Sequence, residues 1–142
     1  MKLIKAFIVA HLAHRGQVDK AGKKYVKHAI RVSRKVKSKQ AKMVALLHDV
    51  VEDTSKTIED IEKMFGRETA FQVSCLTKIK GEVTEEYIKR VKQSPVSIEV
   101  KLADLLDNMN VFRLKKVEEA DLVRLKKYLL MYYELAKEIN TV

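Results

Sequence analysis

The sequence predicts an all-α domain, a compact helical bundle, and three observations carry that prediction. Apolar residues recur three and four positions apart in segment after segment. Only 4 glycines and 1 proline occur in 142 residues, too few turn signals for a many-stranded sheet. A hydrophobic fraction of 46% beside 34% charged residues excludes a disordered chain. A chain of this length buries about 68% of the surface it exposes when unfolded, so it is expected to form one domain, residues 1–142, without a covalent staple.

A first helix is expected from about Lys2 to His14, with Ile4, Phe7, Ile8, His11 and His14 along one stripe and Gly16 ending it. A glycine-containing loop through Gly22 leads to a second helix from about Tyr25 to Lys37. A third, from about Lys39 to Val51, is nearly all apolar between Met43 and Leu47 and is therefore central. Thr57 reads as an N-cap with Glu59 and Asp60 in the first turn, and Gly66 stops that helix. A further helix is expected over about Arg67 to Thr77. Thr84 caps a short one through Val91, and Ser94-Pro95 starts another reaching about Met109. The last, about Ala120 to Ile139, spaces Leu122, Leu125, Leu129, Tyr132, Ala136 and Ile139 three and four apart, a seam within the bundle or against a second copy in a homodimer.

The single cysteine, Cys75, forms no internal disulfide and no thiolate metal cage, and it reads as a small buried apolar residue. No run reaches the roughly 18 apolar residues a membrane span needs, and the N-terminus lacks a signal-peptide cleavage site, so a cytoplasmic protein with no membrane partner is expected. The charge is concentrated. Residues 20–42 hold eight lysines and two arginines with no acid, while the rest of the chain balances 19 basic against 19 acidic groups. The whole net charge of +10 thus sits in one segment, which points to an anionic partner or to a solvated basic face. Nucleic acid is the less favoured partner, because Tyr25 is the one aromatic in the segment and no nucleic-acid motif accompanies it.

The chemistry gathers around ALLHDVVEDT. His48 and Asp49 end an apolar helix, where burying both is costly without partners, and a divalent ion satisfies both. A bare His-Asp pair also occurs at ordinary surface helix ends, so its neighbours matter. Glu52 follows His48 by four and Asp53 follows Asp49 by four, one helical turn if the helix continues. VKLADLLDNM sets Asp104 and Asn108 four apart, with Asp104 in an apolar run that faces an interior or a cleft. YVKHAIRV places His28 three residues after Tyr25. These residues could supply nitrogen and oxygen donors without thiolate, a set suited to Mn²⁺, Fe²⁺, Zn²⁺ or Mg²⁺. His14 reads as a buried hydrogen-bonding histidine, His11 as core or surface, and the Tyr128, Tyr132 and Tyr133 cluster as packing.

The motifs AHRGQVDKAGKKYVKHAIRV, ALLHDVVEDT and VKLADLLDNM, in this order over about residues 6 to 112, resemble the HD-domain metal phosphohydrolases. They are most similar to the hydrolase domain of the RelA/SpoT alarmone family and its small single-domain relatives. The resemblance implies an all-helical fold and Mn²⁺ held by His28, His48, Asp49 and Asp104. It further implies Glu52 and Asp53 in catalysis, Asn108 one turn after the last ligand, and loss of the 3′-pyrophosphate from (p)ppGpp. Lys20, Lys24 and Tyr25 are expected to bind the substrate, and no synthetase half is expected in the chain.

Departures from the family pattern fall on the substrate side. The arginine and lysine that flank guanine in the alarmone hydrolases become Asp19 and Lys20. The prolines usual after the first ligand histidine and before the tyrosine become Ala29 and Lys24. The family string KLADRLHNMRT reads KLADLLDNMNV here, with Leu105 and Asn110 for arginines and Val111 for a threonine. Two alternatives accompany the alarmone reading. One is an HD-type phosphatase of another nucleotide; the other is a non-catalytic HD protein that binds a nucleotide or nucleic acid.

Overall fold

Ser38, Thr57 and Ser94 each accept a backbone N–H at a helix start, and Pro95 occupies the first position of the helix that Ser94 opens. A computed structural model of the chain describes residues 1–139. Its helices are α1 (Lys2–Ala13), α2 (Val26–Lys35), α3 (Lys39–Leu47), α4 (Val50–Asp53), α5 (Ile58–Phe65), α6 (Arg67–Leu76), α7 (Thr84–Val91), α8 (Pro95–Asn108) and α9 (Glu119–Ala136), with a 3₁₀ turn at Val111–Arg113. Among the described residues there is no strand, only one isolated antiparallel bridge between Val18 and Lys24. The all-α expectation is met. No helix among these residues is long and apolar enough to cross a membrane.

The third helix is central, as its apolar run predicts. Ala41 and Met43 through Leu47 are all buried, and α3 packs against α1, α2, α6 and α8. Thr57 caps α5 in a reciprocal capping box with Asp60, and Gly66 ends it at φ +99°, a left-handed value that glycine takes without a Cβ clash. Cys75 is buried and free.

Four expectations are corrected. The stripe drawn on α1 faces outward up to His11, with only His14 at its end buried: Ile4, Phe7 and Ile8 are exposed, and Ala6 and Ala10 are buried instead, because small residues let α1 approach α3 closely. The third helix does not run to Val51. It stops at Leu47, and the backbone moves to φ −101°, ψ −2° at Asp49 before the separate turn α4, so the His-Asp pair sits on a break. Val83, not Thr84, is the N-cap of α7. The α9 seam is shifted: Met131 and Leu135 are buried while Leu122 and Leu129 are exposed, since α9 rests mainly on α8 and turns only one face inward.

Candidate metal centre and adjoining cavity

Four donor groups from three parts of the chain meet under the break. His28 comes from the first turn of α2, His48 and Asp49 from the α3–α4 junction, and Asp104 from α8. His28 Nε2 lies 3.0 Å from Asp104 Oδ1 and 3.8 Å from Asp49 Oδ2. His48 Nε2 lies 3.0 Å from Asp49 Oδ2 and 3.5 Å from Asp104 Oδ1. Both imidazoles are buried, and neither Nε2 has an aligned hydrogen-bond partner. Two orphaned buried nitrogens facing two carboxylate oxygens are an unfavourable arrangement alone, and a divalent cation at their common focus satisfies all four. The residues present fit such an ion. His28, His48 and Asp104 by themselves bring one donor atom each to within 4.8 Å of one another.

The atoms turned away from this focus are tied down. His48 Nδ1 is 2.6 Å from the Ala45 carbonyl, and His28 Nδ1 is 2.6 Å from Asp107 Oδ2. The Tyr25 hydroxyl donates to Asp49 Oδ2 at 2.6 Å. Asp104 accepts from Lys101 Nζ on Oδ2 at 2.8 Å and from Asn108 Nδ2 on Oδ1 at 2.9 Å. Lys101 is buried, and its ammonium lies over the Tyr87 ring, so this cation is committed to structure.

Electrostatics follow from these contacts. Burial alone would lower the His28 pKa, but Asp104 and Asp107 outweigh it and raise it. Burial likewise opposes His48, whose pKa Asp49 and Asp104 push well above the ordinary value. Burial works to raise Asp49, yet the His48 charge prevails and brings it to about 2. Glu52 and Asp53 move the other way: burial, then the Asp49 charge, raises each above its ordinary value. The Lys78 ammonium acts on Glu52 in the opposite sense.

One prediction follows from the imidazoles. A metal takes neutral imidazole, and both histidines hold their protons to higher pH than usual, so binding must expel those protons. Affinity for Mn²⁺ should therefore climb as pH rises and level off once both rings are neutral. The ionised Asp49 and Asp104 add no slope in that range. Titrations from about pH 6 to about pH 9 check this, and a flat affinity would refute it.

Beside the metal focus opens a cavity of about 390 Å³. Tyr25, His28 and Asn108 form its inner wall, Lys20 and Asp19 come from the loop before α2, and Asn110, Val111 and Arg113 follow α8. Asp121, Arg124, Leu125 and Tyr128 close it from α9. Burial, then the nearby Arg124 guanidinium, lowers the Lys20 pKa while Asp121 opposes it, and the lining sets Lys20, Arg113 and Arg124 against Asp19 and Asp121. Asp19 Oδ1 accepts from the Ala21 and Lys23 N–H groups of its own loop, and its Oδ2 lies 3.4 Å from Arg113 Nη1.

The sequence-derived site residues thus divide. His28, His48, Asp49 and Asp104 converge, Tyr25 and Asn108 bond to two of them, and Glu52 and Asp53 sit in the field of Asp49. Lys20 reaches the cavity wall. Lys24 does not: it is exposed and is not among the residues that line the cavity, although its bridge partner Val18 is. His14 is buried and its Nδ1 is 2.8 Å from Gln17 Oε1, and His11 is exposed. Sequence reasoning missed Lys101, Asp107 and Arg113, and it read Tyr128 as packing although it lines the cavity. Lys101 and Asp107 lie three residues either side of Asp104 on α8, a spacing that could have exposed them.

These features define a class: an all-helical domain in which two buried imidazoles and two carboxylates form a candidate cation site beside a charged cavity. The chain belongs to the HD domain family, whose model matches residues 6–138, a family that implies a divalent metal. It is 33% identical over 123 residues to the bifunctional (p)ppGpp synthase/hydrolase SpoT of Escherichia coli (strain K12), covering 76% of this chain and 18% of that protein. It is 35% identical over 127 residues to the guanosine-3′,5′-bis(diphosphate) 3′-pyrophosphohydrolase of Aquifex aeolicus (strain VF5), covering 79% of this chain and 18% of that one. The chain therefore spans about a fifth of the length of these curated relatives. A solved structure of a metazoan ortholog of SpoT, described as hydrolysing ppGpp, matches with a TM-score of 0.79 at 28% identity, over 94% of this chain and 84% of that one.

Proposed function

We propose that this chain is a single HD-type domain, residues 1–142, acting in the cytoplasm as a Mn²⁺-dependent hydrolase that removes the 3′-pyrophosphate from (p)ppGpp. The observation that carries the reading is the pair of orphaned imidazole nitrogens facing Asp49 and Asp104 at the edge of a charged cavity. Relatives named for ppGpp hydrolysis, including one of similar size, support the substrate. His28, His48, Asp49 and Asp104 would hold the ion. When bound, it would supply Lewis acidity, easing deprotonation of water and offsetting charge on the phosphoryl oxygens.

The protein's own groups do the rest. Glu52, whose pKa burial and the Asp49 charge raise above that of an ordinary glutamate, takes the proton of the attacking water, and Asp53 shares the acidic edge. Tyr25 donates to Asp49 and fixes its carboxylate, and Asn108 does the same for Asp104. Lys20, Arg113 and Arg124 offer cations to the phosphates. Replacing Lys20 by Ala should raise KM about tenfold, the loss of one charge-assisted contact, with Mn²⁺ content unchanged. The same change at Lys24, which is exposed like Lys20 but does not line the cavity, should leave KM within about twofold. Equal effects at both positions in steady-state assays would contradict this placement.

The deciding experiment is a release assay with Mn²⁺ across a nucleotide panel. Pyrophosphate from ppGpp and pppGpp is the expected product. Asp19 favours one second reading: at the position where the family carries its guanine-flanking arginine stands a carboxylate held by its own loop and by Arg113. Turnover confined to another nucleotide would establish that reading, and no turnover at all would leave a binding protein.

A further inference from the structure

We propose that Asp107 is a positioning residue that sets the tautomer of His28 for metal binding and ties that ligand to the wall of the substrate cavity. The inference rests on the metal reading above. Asp107 is 2% exposed on α8, one turn from Asp104, and has no place among the four donors. Its Oδ2 lies 2.6 Å from His28 Nδ1, the shortest contact it makes. A histidine that donates from Nδ1 keeps an unprotonated lone pair on Nε2, the nitrogen that faces Asp49 and Asp104.

The two histidines reach this state by different routes, and their places in the helices explain why. His48 caps the end of α3, where the last carbonyls lack helical partners, and its Nδ1 uses the Ala45 carbonyl. His28 sits in the first turn of α2, where the unpaired backbone groups are N–H donors. The Tyr25 carbonyl three residues before it already accepts the His28 N–H at 2.9 Å. An acceptor for His28 Nδ1 must come from another helix, and α8 supplies Asp107.

The carboxylate is itself held in plane. Arg31 grips it with both arms, Nε to Oδ1 at 2.9 Å and Nη2 to Oδ2 at 3.0 Å. Arg113 Nη2 donates to the Asp107 carbonyl at 2.8 Å, and its Nη1 lies 3.4 Å from Asp19 Oδ2. Arg113 and Asp19 both line the cavity. A phosphate that engages Arg113 therefore pulls on the same residue that orients His28.

Titration of metal-free protein with Mn²⁺ alone, followed by the paramagnetic resonance of the free ion, tests this without any turnover. Asp107→Ala should weaken binding about 10- to 100-fold, the usual cost of losing such a support. Asp107→Asn keeps an oxygen acceptor and should recover part of that loss, and it serves as the deciding variant should the alanine protein fail to fold. A second readout is nitrogen NMR of metal-free protein at a pH above the titration of His28. Wild type should show His28 protonated on Nδ1, and Asp107→Ala should shift it toward the other tautomer. Wild-type Mn²⁺ affinity and an unchanged His28 tautomer in both variants, even with lowered thermal stability, would reduce Asp107 to a structural ion-pair partner and overturn the proposal. Failure of the wild-type protein to bind Mn²⁺ at all would instead remove the metal reading, and this inference with it.

Discussion

Asp49→Ala and His48→Ala should each lose most of the bound divalent ion, and turnover should fall to background. Each removes a donor that the rest of the site cannot replace: Asp49 Oδ2 lies 3.0 Å from His48 Nε2, and both rings already face the two carboxylates. The loss should also appear in stability. An ion that binds only the folded state stabilises it by about 2.7 kcal/mol at a hundredfold excess over Kd. Added Mn²⁺ should therefore raise the Tm of the wild-type protein, and a chelator should reverse the rise, while neither variant responds. Metal analysis together with thermal scans checks this. Full metal retention in both variants would refute the ligand assignment.

Glu52→Gln should leave metal and nucleotide binding in place and still lower kcat by at least about a hundredfold, since a general base contributes roughly 10²- to 10⁴-fold. The raised pKa of Glu52 gives this a pH signature. In the wild type, kcat should increase with pH through a value above that of an ordinary glutamate, because the group must be deprotonated to accept the water's proton. The glutamine variant should lose that limb. Asn108→Ala, which removes one contact to Asp104 and leaves the acid in place, should lose less. Wild-type turnover in Glu52→Gln would make the acid a surface residue and break the catalytic mapping.

The break at Asp49 bears on both predictions. A continuous helix would have carried Glu52 around on the face of His48. Instead α3 ends at Leu47 and the backbone turns at Asp49. One helical link survives, the Asp53 N–H to the Asp49 carbonyl at 3.0 Å, so the acidic pair stays within the field of Asp49 while its side chains reach solvent. Residues that must exchange protons with water and touch an anion need that access, and the buried donors do not.

The sequence by itself determined the helical class, the central place of the Met43–Leu47 run, the caps at Thr57 and Ser94, and the residue types that can hold a hard cation. These depend on neighbours within one or two turns, where periodicity and capping chemistry act. Only the tertiary structure decided which atoms meet. His28 and Asp107 are separated by 79 positions, and Arg113 reaches Asp19 across 94. It also decided which face of α1 is buried, since alanines and larger apolar residues both recur at helical spacing and only close packing on α3 selects the alanines. It brought Arg124 and Tyr128 of α9 to the cavity, where local pattern shows only an amphipathic helix. Contacts between distant segments are set by how whole faces pack, and a single chain's local spacing carries no record of that.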